Sequence, residues 1–199
     1  MKILAIADAE IAELRTEFDR TRFGDIDLIF SCGDLQPEYL TLVRERVDAP
    51  LYYVLGNHDL RHRLSPPVGC TALDCAAARH GSLKLLGLSG SRWYNGGPYQ
   101  YHETEMRMII WKLYFALWRQ QGVDIVITHA PPRHIHDAED RCHRGFKFFH
   151  NLIDRFQPRY FLHGHIHARF ADDSERVTRK GNTKIINCCG AYVFEDRFV

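Results

Sequence analysis

Five times in this chain a short apolar run stops at a cluster of polar side chains able to bind a cation. Ile3–Ala7 gives way to Asp8-Ala9-Glu10, and Leu28–Ser31 to Cys32-Gly33-Asp34. Leu51–Leu55 ends in Gly56-Asn57-His58-Asp59, and Val123–Thr128 in His129-Ala130-Pro131-Pro132. Arg159–His163 runs into Gly164-His165-Ile166-His167. Apolar runs of about four to eight residues bounded by turn-forming residues read as strands buried on both faces. Between them lie helical patterns: Ile11–Asp19, Glu38–Val47 and a stretch marked by Phe146, Phe149, Ile153 and Phe156. The strongest is Glu103–Gln120, where Met106, Ile109, Ile110, Leu113, Tyr114, Leu117 and Trp118 recur at helical spacing. Strands alternating with helices predict an α/β fold. In such sheets the ligand crevice lies at the carboxyl ends of the strands, so the polar clusters converge on one edge.

A further strand, Ser82–Ser89, follows Gly81, and the C-terminal part reads as a hairpin. Its arms are Arg176–Arg179 and Thr183–Cys188, joined by Lys180-Gly181-Asn182. Parallel-type strands joined to hairpin strands imply one mixed sheet or two. No repeat or flexible linker divides the 199 residues, so a single domain over 1–199 is expected. The 26 basic and 25 acidic residues nearly cancel, which argues against a surface built for long nucleic acid. No apolar run approaches the ~18 residues of a membrane helix. The N-terminal run is too short for a signal peptide and is interrupted by Asp8. Six irregularly spaced cysteines with no Cys-x-x-Cys pair point to reduced thiols in the cytoplasm. The excess is in histidine, of which there are twelve, and this directs attention to metal and phosphate chemistry.

Each cluster taken singly has an ordinary structural explanation. Asp8 and Glu10 suit a helix cap with a first-turn acid. Gly33-Asp34 suits any strand-ending turn, and His129 a satisfied core histidine. Asn57, His58 and Asp59 in a row after a buried strand are harder to satisfy without a ligand. His163, His165 and His167 alternate, so on an extended strand they share one face. Two long loops add candidates, since long loops in compact domains are usually functional. Gly90–His102 carries Trp93, Tyr94, Tyr99 and Tyr101, which either stack a planar substrate group or pack the loop on the core. Arg92 in that loop, and Arg133, Arg141 and Arg144 in the second, Ala130–Arg144, either grip a second phosphate or are solvated.

The order Asp-x-(His), Gly-Asp, Gly-Asn-His-Asp, His, Gly-His-x-His, spanning Asp8 to His167, resembles that of the calcineurin-like metallophosphoesterases, as a small bacterial member. The resemblance implies a four-layer α/β/β/α sandwich of two mixed β-sheets flanked by helices, with a centre of two divalent ions at the strand ends. It implies that Asp34 bridges the ions, that Asp8 and His167 complete one site, and that Asn57, His129 and His165 form the other. His58 and Asp59 match the catalytic pair, His58 being held by Asp59. One position departs: Glu10 stands where the family usually has histidine, a harder and negatively charged candidate ligand.

Physical chemistry agrees with that assignment. Two cations ~3.5–4 Å apart need a bridging carboxylate, and Asp34 is the isolated acid available. Mixed His, Asn and carboxylate donors suit Mn, Fe, Ni or Zn better than Ca; Mn is the ion expected first, with Fe, Ni, Zn or Mg as alternatives. The function expected is a metal-dependent phosphoesterase acting on phosphodiesters, cyclic nucleotides or other small phosphate esters. A metal-bridging hydroxide would attack phosphorus and His58 would protonate the leaving group. The alternative is a non-enzymatic metal-binding or scaffold protein on the same fold, as in a retromer subunit. Glu10 favours it, whereas a scaffold has no use for His58. Other metal folds fit less well. His134-Ile135-His136-Asp137-Ala138-Glu139 lacks the metallo-β-lactamase order, His58-Asp59 follows a strand rather than lying on a helix, and the cysteine spacings do not make a zinc finger.

Overall fold

The computed structural model describes residues 1–197. The chain begins β1 (Lys2–Ala7), α1 (Ala12–Arg15), α2 (Arg20–Phe23), β2 (Leu28–Ser31), α3 (Pro37–Val47) and β3 (Leu51–Tyr53). It continues β4 (Cys70–Ala72), β5 (Ala76–His80), β6 (Leu83–Leu88), β7 (Ser91–Arg92), β8 (Gln100–Tyr101) and α4 (Glu103–Arg119). Then come β9 (Ile125–Thr128), α5 (Phe148–Phe156), β10 (Tyr160–His163), β11 (Val177–Lys180), β12 (Thr183–Asn187) and β13 (Gly190–Glu195). One sheet has the order β13-β1-β2-β3-β4 and the other β11-β12-β10-β9-β6-β5. β1 to β4 are mutually parallel, as are β6, β9, β10 and β12; the antiparallel members β13, β11 and β5 lie at the edges.

The layering follows from side-chain alternation. Ile3, Ala5 and Ala7 of β1 point between the sheets, where they meet Leu28, Phe30, Leu85, Ile125, Ile127 and Leu162. Leu4 and Ile6, the intervening residues, point outward onto Leu14, Phe23, Leu40 and Val43 of α1 to α3. The second sheet does the same: Leu86, Val126, Phe161 and Ile185 pack on Met106 and Ile110 of α4 and on Phe149 and Ile153 of α5. Both faces of the central strands are covered, which is why they read as continuous apolar runs. The result is the expected sandwich of two mixed sheets between helices.

Several local expectations need correction. Ile11–Asp19 is not one helix. α1 stops at Arg15, and Asp19 caps α2 by accepting from the backbone N–H groups of Thr21 and Arg22 at 2.8 and 3.2 Å. An aspartate that can cap a new helix competes with continuing the old one. Leu51–Leu55 pairs only as far as Tyr53, and α5 begins at Phe148, leaving the buried Phe146 in the preceding loop. Trp118 faces solvent at 74% exposure rather than joining the core stripe of α4. The hairpin is as expected, with Lys180 paired to Thr183 across a Gly181-Asn182 turn in which Gly181 takes φ +58°. Among the described residues no helix is long and apolar enough to cross a membrane.

Candidate metal centre

Because the two parallel groups point their carboxyl ends the same way, Asp8, Asp34, Asn57, His129 and His165 meet at one edge of the sandwich. The chain reaches this edge by sharp turns. Asp8, Asp34 and His165 all adopt left-handed backbone conformations, with φ of 62°, 56° and 69°. Such conformations are uncommon for residues other than glycine and cluster at functional sites. Glycines permit the close approach: a Cβ on Gly56 would lie 2.0 Å from Asp34 Oδ1, and one on Gly164 would lie 2.8 Å from Asp8 Oδ2.

Asp34, His129 and His165 offer one ligand atom each, all within 4.8 Å of one another. His129 Nδ1–H donates to the carbonyl of Cys32 at 2.9 Å, which turns Nε2 toward Asp34 Oδ2 at 3.4 Å and Asn57 Oδ1 at 3.1 Å. His165 Nε2–H donates to the carbonyl of Cys142 at 2.8 Å, leaving Nδ1 as its free lone pair. Backbone carbonyls that fix an imidazole tautomer are the usual support of metal-ligating histidines. Asp8 Oδ1 accepts the His165 backbone N–H at 2.9 Å, but buried Asp8 Oδ2 has no partner among the described residues. A buried acceptor left unsatisfied costs about 1–3 kcal/mol, so this oxygen waits for a cation or a proton.

The electrostatics agree. Burial raises the Asp8 carboxyl to about 6. Burial also pushes Asp34 up, but the charge and hydrogen bond of His129 outweigh it and bring Asp34 to about 2. His129 is depressed by burial, and Asp34 reverses this and lifts it to about 9. The His129 proton thus occupies the side of the ring that faces Asp34, where a cation would compete for the same lone pair. Burial, helped by the His129 charge, lowers His165 to about 3 and leaves it a neutral donor. The donor set of one carboxylate, one amide and two imidazoles, with Asp8 beside it, fits a divalent ion.

The other expected residues take different places. Asp59 is buried, yet it does not hold His58: its Oδ2 accepts the backbone N–H groups of Asp34 and Gly56 at 2.8 and 2.7 Å, and its Oδ1 faces His62 at 3.7 Å. It ties two strand-end loops together. His58 is exposed, and its backbone N–H donates to Asp34 Oδ1 at 2.9 Å, so the ring stands at the rim of the cluster. His167 is exposed too, and its charge lowers Asp8. Glu10 turns away and pairs with Arg15. The alternation of His163, His165 and His167 does not place them on one face, because β10 ends at His163 and His165 leaves extended geometry. His163 points elsewhere, its Nε2 bonded to His136 Nδ1 at 2.8 Å. Tyr94, expected as a stacking or packing aromatic, instead uses its hydroxyl to accept from Asn57 Nδ2 at 3.2 Å, and the carbonyl of Cys142 has no place in the sequence reading. Both lie in the long loops, which was the available signal.

Comparison with known proteins extends this geometry. A segment of 70 residues is 34% identical to UPF0046 protein T07D4.2 of Caenorhabditis elegans; the segment is 34% of this chain and the match spans only 16% of that relative's length. Among solved structures, TT1561 of Thermus thermophilus superposes with a TM-score of 0.64 at 15% identity, covering 95% of this chain and 89% of that one. GAP50, the anchor in the inner membrane complex of Plasmodium, gives 0.56 at 13%, covering 95% and 71%. At such identities the likeness is one of fold. The sequence model of the calcineurin-like phosphoesterases matches residues 1–169, a span that takes in every strand end of the cluster. The chain belongs to the calcineurin-like phosphoesterase family.

Proposed function

We propose that this protein is a hydrolase of small phosphodiesters with a centre of two divalent ions, Mn first among Mn, Fe, Ni, Zn and Mg. Asp34 would be shared between the two ions, Asn57, His129 and His165 would hold one, and Asp8 and His167 would hold the other. Divalent ions so held lower the pKa of a coordinated water and offset charge on the phosphoryl oxygens.

The remaining work falls to the chain. Cys32 and Cys142 carbonyls keep His129 and His165 in the ligating tautomer. Asp59 holds the Asp34 and Gly56 backbones at fixed separation, so Asp34 and Asn57 keep their mutual geometry. Asn57 is further fixed by Tyr94. His58, at the rim and tied through its backbone to Asp34, donates a proton to the leaving alkoxide. Glu10, one residue before the N-cap Ile11 of α1, is engaged by Arg15 rather than by the cluster. The unit is a single catalytic domain, and its six free cysteines suit a reducing cytoplasm.

One observation carries this reading: Asp34, His129 and His165 converge within 4.8 Å at a buried edge. The test is a substrate panel of aryl phosphodiesters, cyclic nucleotides and phosphomonoesters run with each metal. Diester turnover dependent on Mn²⁺ supports the proposal. Absence of turnover with every metal and ester overturns it.

A further inference from the structure

The arginines in and beside the two long loops are not equivalent. Arg92 faces Glu103 at 3.7 Å. Arg133 is pinned by Asp137 and Glu139 at 2.6 and 2.7 Å, and Arg144 Nε donates to the Glu139 carbonyl at 2.8 Å. Arg141 is exposed and has no carboxylate partner among the described residues; its guanidinium lies over the Trp93 ring, 5.8 Å from the centroid. That ring is itself braced. It stacks on His102 at 5.1 Å and 18°, the Trp93 backbone N–H donates to the Tyr101 carbonyl at 2.9 Å, and the next two N–H groups both donate to Gln100 Oε1 at 3.1 Å.

The neighbours of this pair touch the centre. Tyr94, next to Trp93, meets Asn57, and Cys142, next to Arg141, accepts from His165. The Tyr94 hydroxyl and the Cys142 thiol also meet each other, and the His143 ring lies 5.3 Å from that of His165. The two loops therefore form an arch. Tyr94 and Cys142 are its inner course against Asn57 and His165, and Trp93 with Arg141 is the next course outward.

On the basis of the phosphoesterase reading above, we infer that Arg141 is an anion-binding residue for a part of the substrate remote from the reacting phosphorus, and that the preferred substrates are phosphate esters carrying a second phosphoryl group. A guanidinium held by an aromatic ring keeps all its N–H donors outward in a planar fork, which matches a phosphate better than a point charge does. The arginines neutralised by Asp137, Glu139 and Glu103 lack that freedom.

The test compares two p-nitrophenyl phosphodiesters, one with a plain ethyl group and one whose ethyl group bears a terminal phosphate. The readout is the ratio of their kcat/KM values in the wild type, Arg141→Gln and Arg141→Lys. The expected ratio favours the second substrate in the wild type, falls about tenfold or more in Arg141→Gln and recovers in part in Arg141→Lys. A ratio unchanged in Arg141→Gln, with both rates moved together, overturns the inference and leaves Arg141 as a brace of the arch. A calorimetric arm with the Mn²⁺-loaded protein separates this result from failure of the catalytic reading. Pyrophosphate should bind more tightly than phosphate, and Arg141→Gln should remove the difference whether or not any ester turns over. Equal affinity for the two anions in the wild type also overturns it.

Discussion

The two halves of the proposed centre are built differently. Around Asp34, the polar side chains are buried and held by two backbone carbonyls outside the strands: Cys32, just after β2, behind His129 and Cys142, in the loop after β9, behind His165. Around Asp8, one buried oxygen lacks a partner, His167 is exposed and Glu10 is engaged with Arg15. On the two-ion proposal, the first half is already assembled in the fold, and the second would assemble around its ion. Preorganisation lowers the cost of binding, so the Asp34 half should bind more tightly and the Asp8 half should set the metal concentration at which activity appears.

The most severe way to break this comparison is to remove what the halves share. Asp34→Asn should abolish metal-dependent turnover, a loss of about 10⁴-fold or more, since water activation and charge neutralisation fail together. Steady-state assays with Mn²⁺ check this, and near-normal activity would mean that the centre lies elsewhere. His58→Ala should leave both halves loaded and lower turnover about 10²-fold for a poor leaving group, and much less for p-nitrophenolate. An equal loss on good and poor leaving groups would reject the proton-donor role.

The pH dependence of metal uptake sharpens the contrast from the side of the assembled half. His129 is raised to about 9 from 6.5 in the metal-free fold. Its contribution to stability is therefore fully present below about 6.5 and is lost as pH rises through about 9. A cation must displace that proton, so binding near pH 8 should release about one proton and the affinity should climb with pH toward 9. Calorimetry in buffers of different ionisation enthalpy counts the proton. A pH-independent affinity over that window would place His129 outside the ligand set.

The smallest effect belongs to Glu10. Its partly exposed pair with Arg15 is worth at most about 1 kcal/mol, so Glu10→Ala should shift the Mn²⁺ activation curve by no more than about twofold. Glu10→His, which supplies a neutral imidazole beside Asp8, should move the curve to lower Mn²⁺. A large rise in the Mn²⁺ requirement of Glu10→Ala would show that the carboxylate swings from Arg15 to the ion.

Much of this was legible in the sequence for one physical reason. A strand covered on both faces must be apolar throughout, so its end is visible as an abrupt return of polar residues, as at Ala7-Asp8, Thr128-His129 and His163-Gly164. Edge strands lack that signature. β5, with the sequence Ala76–His80 and only partial burial, and β13, which closes the sheet on β1, show no comparable contrast. The site residues were legible by type and less so by role. Whether a side chain turns inward depends on left-handed turns at Asp8, Asp34 and His165 that no pattern of residue types announces. Asp59 illustrates this: adjacent to His58 in sequence, it is directed by the turn to the backbones of Asp34 and Gly56. His163 and His165, two residues apart, are separated by the same kind of turn.

The unequal halves are tested most directly by calorimetric titration of the metal-free protein with Mn²⁺, carried out on the wild type, His165→Ala and His167→Ala. Two steps of different affinity are predicted for the wild type. His165→Ala should remove the tighter step, and His167→Ala should weaken the looser one while leaving the tighter in place. A wild type that binds no Mn²⁺, or a pair of variants that lose the same step, would contradict the account.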